Sequence, residues 1–171
     1  PLFCISAGLC FRGDPVAGLV IVPAFSDIYH AILGGGAFRN HEAIHVSGLT
    51  SVERTLVATG LPYHRQEMIT DIISDISAFI SSGAGLRRSG SAVLDLCWVA
   101  DGRFDAMWER GLDAHDLCAA SVILNEAGGS LSDFDGENFD IFYTNVVASN
   151  GLIHPEVINI LRKARKVEGM N

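Results

Sequence analysis

The sequence predicts a layered α/β fold of the α+β type, with helices and strands stacked around a central sheet. Three observations predict it. The first sixty residues read as consecutive strands separated by turn residues. The remainder alternates helical and strand periodicity. Within that second part, Gly90 to Ala100 is apolar on nearly every side, as a buried helix is.

The elements follow in order. Leu2 to Phe11 is an apolar strand, and Arg12-Gly13-Asp14-Pro15 supplies the turn after it. Val16 to Val22 and Asp27 to Leu33 continue as strands, broken by Pro23 and Ser26. Gly34-Gly35-Gly36 marks a hairpin turn. A phosphate loop would run from strand into helix, whereas this one runs toward another strand. Ala43 to Val46 is a short strand, Ser47 to Arg54 a loop, and Thr55 to Ala58 a strand ending at Gly60.

Gln66 to Ser81 places Met68, Ile69, Ile72, Ile76, Phe79 and Ile80 at helical spacing. Gly90 to Ala100 is the buried helix. Phe104 to Glu109 alternates, with Phe104, Ala106 and Trp108 on one face and Asp105, Met107 and Glu109 on the other. Asp113 to Ala127 is a helix with Asp113 as cap and Gly128-Gly129 as stop. Ser130 to Phe139 is strand and turn. Its Asp133-Phe134-Asp135-Gly136 lacks the second half of a calcium-loop spacing and reads as a polar turn. Asn145 to Ser149 is a strand and Pro155 to Lys166 the last helix. Arg162, Lys163, Arg165 and Lys166 there complement the negative end of the helix dipole. Residues 1–171 read as a single partial domain: a mostly antiparallel sheet over 1–60 and an α/β part over 61–171.

Composition narrows the partners. Twenty acidic against twelve basic residues give a formal net charge of −8, which repels nucleic acid and anionic membrane. The longest apolar stretch, Val16 to Phe25, falls short of the roughly 20 residues of a membrane span. No basic segment precedes the apolar start, so it does not read as a signal peptide, and a chain opening inside a strand pattern without Met reads as an internal fragment. Cys4, Cys10, Cys97 and Cys118 form no C-x-x-C pair and sit in apolar runs, as buried free thiols of a cytoplasmic protein do. Cys4 and Cys10 are too far apart on one extended strand for a disulfide. His30, His41, His45, His64 and His154 form no metal pair on a helix and read as structural or surface residues. Neither a Ser-His-Asp order nor a G-x-S-x-G elbow occurs, which argues against an acyl hydrolase.

Glu109 ends a strand, and Asp116 enters a helix a few residues later. Both carboxylates can point at one spot beyond a strand end, where α/β folds place ligands. Asp116 has a second reading, as a first-turn acid favoured by the helix dipole. Spacing alone leaves both open. Tyr63-His64-Arg65 also follows a strand end, and Arg65 reads as a surface charge.

Longer motifs add a resemblance. Arg87-Arg88-Ser89-Gly90-Ser91-Ala92-Val93-Leu94-Asp95-Leu96, Val99-Ala100-Asp101-Gly102-Arg103-Phe104-Asp105-Ala106-Met107-Trp108-Glu109-Arg110-Gly111-Leu112, His115-Asp116-Leu117-Cys118-Ala119-Ala120 and Asn125-Glu126-Ala127-Gly128-Gly129 resemble the C-terminal signature of the inositol monophosphatase family. Pro1-Leu2-Phe3-Cys4-Ile5-Ser6, Pro15-Val16-Ala17-Gly18-Leu19-Val20, Gly35-Gly36-Ala37-Phe38-Arg39-Asn40 and Ile44-His45-Val46-Ser47 look like the segments that follow the family's first motif. The resemblance covers essentially the whole chain.

It implies an αβαβα sandwich truncated at the N-terminus. It implies a Mg²⁺-dependent hydrolase of myo-inositol monophosphate or a similar small polyol phosphate, working as a homodimer. In its terms Asp116 binds the metal and serves catalysis, Glu109 holds substrate hydroxyls, and Gly90, Ser91 and Ala92 meet the sugar ring through their backbone. Mg²⁺ prefers carboxylate oxygens and water, and a turn with Gly lets backbone approach a ligand closely. The alternatives are a fructose-1,6-bisphosphatase-like member and a non-catalytic dimerising or binding relative.

Three departures qualify this. The first motif, Asp-Pro-Leu/Ile-Asp-Gly-Thr with an upstream Glu-Glu, is not in the chain, so the expectation is a chain that is a weak or inactive catalyst alone. His115 stands where Trp is usual, which leaves two readings, an adjustment of Asp116 or the metal water and a neutral packing replacement, the second favoured. Ala120 stands where Gly is usual, which implies tighter helix packing. A sheet left open at Leu2 to Phe11 also predicts association into dimers or larger species.

Overall fold

The computed structural model describes residues 2–62 and 65–168. Among them, ten strands and four α-helices build two five-stranded sheets with helices between and outside them.

The first sheet is an antiparallel meander of β1 (Ile5–Phe11), β2 (Asp14–Val22), β3 (Asp27–Ile32), β4 (Ala37–Arg39) and β5 (Glu42–Ala43), in that order. Arg12 and Gly13, both at positive φ, close the β1–β2 hairpin. The glycine triplet is the expected turn between β3 and β4. Its Gly34 and Gly36 N–H groups donate to the two Glu126 carboxylate oxygens, each at 2.8 Å. The turn therefore holds a carboxylate of this chain.

The second sheet is mixed. In it β6 (Leu56–Thr59) is flanked in parallel by β7 (Gly85–Arg87) and β8 (Ala106–Arg110), the central strand. Antiparallel β10 (Asn145–Ser149) and β9 (Ser130–Ser132) complete the order β7-β6-β8-β10-β9. Two helices, α2 (Ala92–Ala100) and α3 (Ala114–Glu126), fill the space between the sheets. The other two, α1 (Ile69–Ser81) and α4 (His154–Glu168), cover the far face of the second sheet. The described layers thus run β-α-β-α. Leu94, Leu96, Cys97 and Val99 of α2 are wholly buried, as its all-round apolar sequence requires. Beyond the second sheet, Phe79 of α1 stacks on Trp108 with ring centroids 3.9 Å apart.

Two devices bind the layers. Gly8 and Gly18 face each other across β1 and β2. A Cβ at Gly18 would lie 2.1 Å from the Ala119 carbonyl oxygen, and one at Gly8 would lie 2.4 Å from Cys118 Sγ. Helix α3 therefore rests on bare strand backbone. At the end of α2, buried Asp101 accepts from the Tyr29 hydroxyl at 2.8 Å and pairs with Arg39 at 3.0 Å and Arg103 at 3.1 Å.

Several expectations are corrected. The strand expected over Ala43 to Val46 is instead the two-residue β5, which ends at Ala43. Ile44 to Val46 leaves the sheet, and the Val46 N–H donates to the Ala127 carbonyl at 3.2 Å. Strand β7 was not foreseen, because three residues are too few to show a period. The helix expected from Gln66 starts at Ile69, after a 3-10 turn over Arg65–Met68. Only Cys97 is a buried thiol. Cys4 and Cys118 are half-buried, and Cys10, on the first sheet's outer strand, is exposed. The basic run on α4 acts locally: Arg165 donates to the Phe134 carbonyl and to Asp135, each at 2.8 Å.

Candidate active site

Strands β6 and β8 are parallel, and both end where α2 and α3 begin. Two strand ends and two helix starts therefore collect at one edge of the second sheet, the position where such sheets bind ligands. A cleft of about 310 Å³ opens there. Glu109, Asp116, Gly90, Ser91 and Ala92 all line it. The chain thus brings together Glu109, Asp116 and the Gly90-Ser91-Ala92 turn.

The start of α2 forms one wall. Gly90 has φ of 94°, a conformation that favours glycine. Ser91 caps the helix, its Oγ accepting the Leu94 N–H at 3.4 Å, and the Ser89 Oγ accepts the Ser91 N–H at 3.2 Å. The remaining first-turn N–H groups give this wall a partial positive charge.

Glu109 forms the floor. A Cβ at Gly60 would fall 1.7 Å from Glu109 Oε1, so the carboxyl occupies the room that any other residue at 60 would need. Its Oε2 is shut off from solvent and has no hydrogen-bond partner. Burial, reinforced by the charges of Asp95 and Asp116 and opposed by Arg88, pushes the Glu109 carboxyl up to about 7. Asp95, behind the α2 wall, is 1 % exposed with Oδ1 unpartnered. Burial raises it to about 7 as well, against the pull of Ser89 and Arg88.

Asp116 occupies the first turn of α3, where its Oδ2 accepts the Asp113 N–H at 3.1 Å. The helix-acid reading of Asp116 is therefore correct, and it coexists with a place in the cleft. Asp113, His115 and Asp116 each bring one ligand atom within 4.8 Å of the others. The His115 side chain is 78 % exposed, with Nε2 3.7 Å from Asp116 Oδ1. His115 lines the cleft beside Asp116. The two carboxylates fit a hard cation such as Mg²⁺, and the open side of the cluster leaves coordination positions for water and other oxygens.

Gly60, Arg88, Asp95 and Asp113 were missed. Only Gly60 had a local signal, a glycine directly after a strand. The other three acquire their places through the meeting of β8, α2 and α3. Tyr63 and His64, and the Arg65 side chain, lie outside the described residues.

This layered α/β fold, with a ligand cleft at parallel strand ends, matches one family. The chain belongs to the inositol monophosphatase family, whose model matches residues 1–166. It is 36 % identical over 163 residues to an inositol-1-monophosphatase of Mesorhizobium japonicum, covering 95 % of this chain and 61 % of that protein. It is also 36 % identical over 161 residues to a putative Nus factor SuhB of Neisseria meningitidis, covering 94 % of this chain and 62 % of that one. An inositol monophosphatase structure from Anabaena superposes with a TM-score of 0.90 at 35 % identity, covering 94 % of this chain and 64 % of that chain. The chain thus spans about three-fifths of the length of these relatives.

Proposed function

We propose that the protein is a Mg²⁺-dependent phosphate monoester hydrolase acting on myo-inositol monophosphate or a similar small polyol phosphate. The observation that carries this reading is the single cleft shared by Asp116, Glu109 and the Gly90-Ser91-Ala92 turn. Asp116, with Asp113 beside it, holds the metal through carboxylate oxygens. Bound Mg²⁺ supplies charge neutralisation at phosphorus and an activated water. Glu109, which lines the cleft, accepts hydrogen bonds from ring hydroxyls. The backbone of Gly90, Ser91 and Ala92, at the start of α2, meets the sugar ring. The sequence carries no Asp-Pro-x-Asp-Gly-Thr motif, so we expect these 171 residues alone to turn over weakly.

The test is Mg²⁺-dependent phosphate release from inositol 1-phosphate by the whole protein, alongside fructose 1,6-bisphosphate. Asp116→Asn should lower turnover by about 100-fold or more. Unchanged turnover in Asp116→Asn would remove the metal assignment, and preference for the bisphosphate would move the substrate.

A second reading, a non-catalytic dimerising or binding role, draws on two observations. Some relatives at 36 % identity are named Nus factors, and the first sheet presents an apolar outer face. Full activity with inositol 1-phosphate would count against it.

A further inference from the structure

The contact between β1 and α3 brings two thiols together. Cys10 Sγ lies 3.3 Å from Cys118 Sγ, although 108 positions separate them in sequence. A disulfide spans about 2.05 Å, so closure needs a movement of about 1 Å, within reach of small side-chain rotations. The surroundings favour it. Gly8 leaves the space that Cys118 Sγ fills, which holds that thiol against β1. The β1–β2 register shifts between Leu9 and Cys10, an irregularity at which a strand yields. Cys10 is exposed and meets an oxidant first, while half-buried Cys118 waits beside it.

We propose that Cys10 and Cys118 are an oxidative modification site that closes to a reversible disulfide, stapling β1 to α3. The oxidant is a small disulfide such as oxidised glutathione. The Cys10 thiolate attacks one glutathione sulfur, the glutathione S–S bond breaks, and one glutathione leaves as thiolate. The Cys118 thiolate then attacks the Cys10 sulfur of the mixed disulfide and expels the second glutathione. The two protein thiols lose two protons and two electrons, and the oxidant becomes two glutathione thiols. The bond closes a long loop, which restricts the unfolded chain more than the folded one.

The experiment treats the whole protein with oxidised glutathione, then maps peptides without reductant and records thermal unfolding. A peptide pair joined through Cys10 and Cys118, lighter by two hydrogens, is expected. Tm should rise by about 4 °C or more and fall back with dithiothreitol. Cys118→Ser should keep glutathione on Cys10 and show no rise. Glutathione that stays on Cys10 of the unsubstituted protein, or a bond from Cys10 to a second copy, overturns the proposal. A closed bond with unchanged Tm overturns the staple.

Discussion

The two sheets of this protein differ in what covers them. The second sheet is sealed on both faces: Met107 meets the core shared with α2 and α3, while Ala106, Trp108 and Val147 meet α1 and α4. The first sheet buries Val20, Val22 and Tyr29 against the helices but leaves Ile5, Leu9, Phe11, Ile28 and Ile32 exposed on its other side. Among the described residues nothing packs on that outer face. The difference teaches where rigidity is placed. The sheet closed on both sides carries the cleft, and its strands hold Glu109 where one added Cβ at Gly60 would displace it. Enclosure also raises the cost of charge, which is why two carboxyls beside the cleft are pushed up to about 7.

The largest effect should come from opening the sealed sheet. Phe79 is wholly buried and stacks on Trp108. Phe79→Ala should cost about 3–5 kcal/mol in urea unfolding, since close-packed neighbours refill such a void only in part. A cost below about 1 kcal/mol would show that α1 is loosely seated and that the two sheets are less different than their burial says.

A second, pH-dependent effect should come from Asp95. Its folded carboxyl is raised to about 7 from an ordinary 3.8. Between those values the folded protein keeps a proton that the unfolded chain has lost. The group therefore favours the fold fully below its ordinary value, and that contribution drains away as pH rises to about 7. Asp95→Asn removes this loss. The variant should gain on the order of 4 kcal/mol over the parent on moving from about pH 4 to about pH 8 in urea unfolding. The same difference at both pH values would mean that Asp95 is not held in its neutral form. Glu109 shifts in the same direction, so the variant keeps part of the parent's slope.

The contrast between the sheets also marks how far the sequence could be read. Strand β10 and the ends of α3 were legible, because alternation and the Asp113 to Gly128 punctuation are local properties. Strand β7 was not, since its three residues are strand only by pairing with β6. Glu109 and Asp116 were legible as neighbours across a strand-to-helix turn. The clearance at Gly60, the approach of Asp113 and His115, and the burial of Asp95 were not, because each depends on a partner distant in sequence or on side-chain direction. The glycine triplet gave its turn, but its carboxylate partner lies at the far end of α3.

The smallest stability effect, and the sharpest test of the contrast, belongs to the outer face of the first sheet. Leu9 pairs with Ala17, and Ala17 with Ile32, so the three form one apolar line across β1, β2 and β3. Leu9 is 61 % and Ile32 67 % exposed. Side chains already in water contribute little to folding, so each of Leu9→Ser and Ile32→Ser should change unfolding free energy by no more than about 0.5 kcal/mol. We expect the same line to drive association, because a contiguous apolar patch is covered more favourably by another surface than by water. Sedimentation should therefore show dimers or larger species in the parent, and a shift toward monomer in the double variant at nearly unchanged stability. A loss of about 2 kcal/mol or more in either single variant would mean that this face is packed within the folded protein. The first sheet would then be sealed on both sides like the second, and association would have to be sought elsewhere on the molecule.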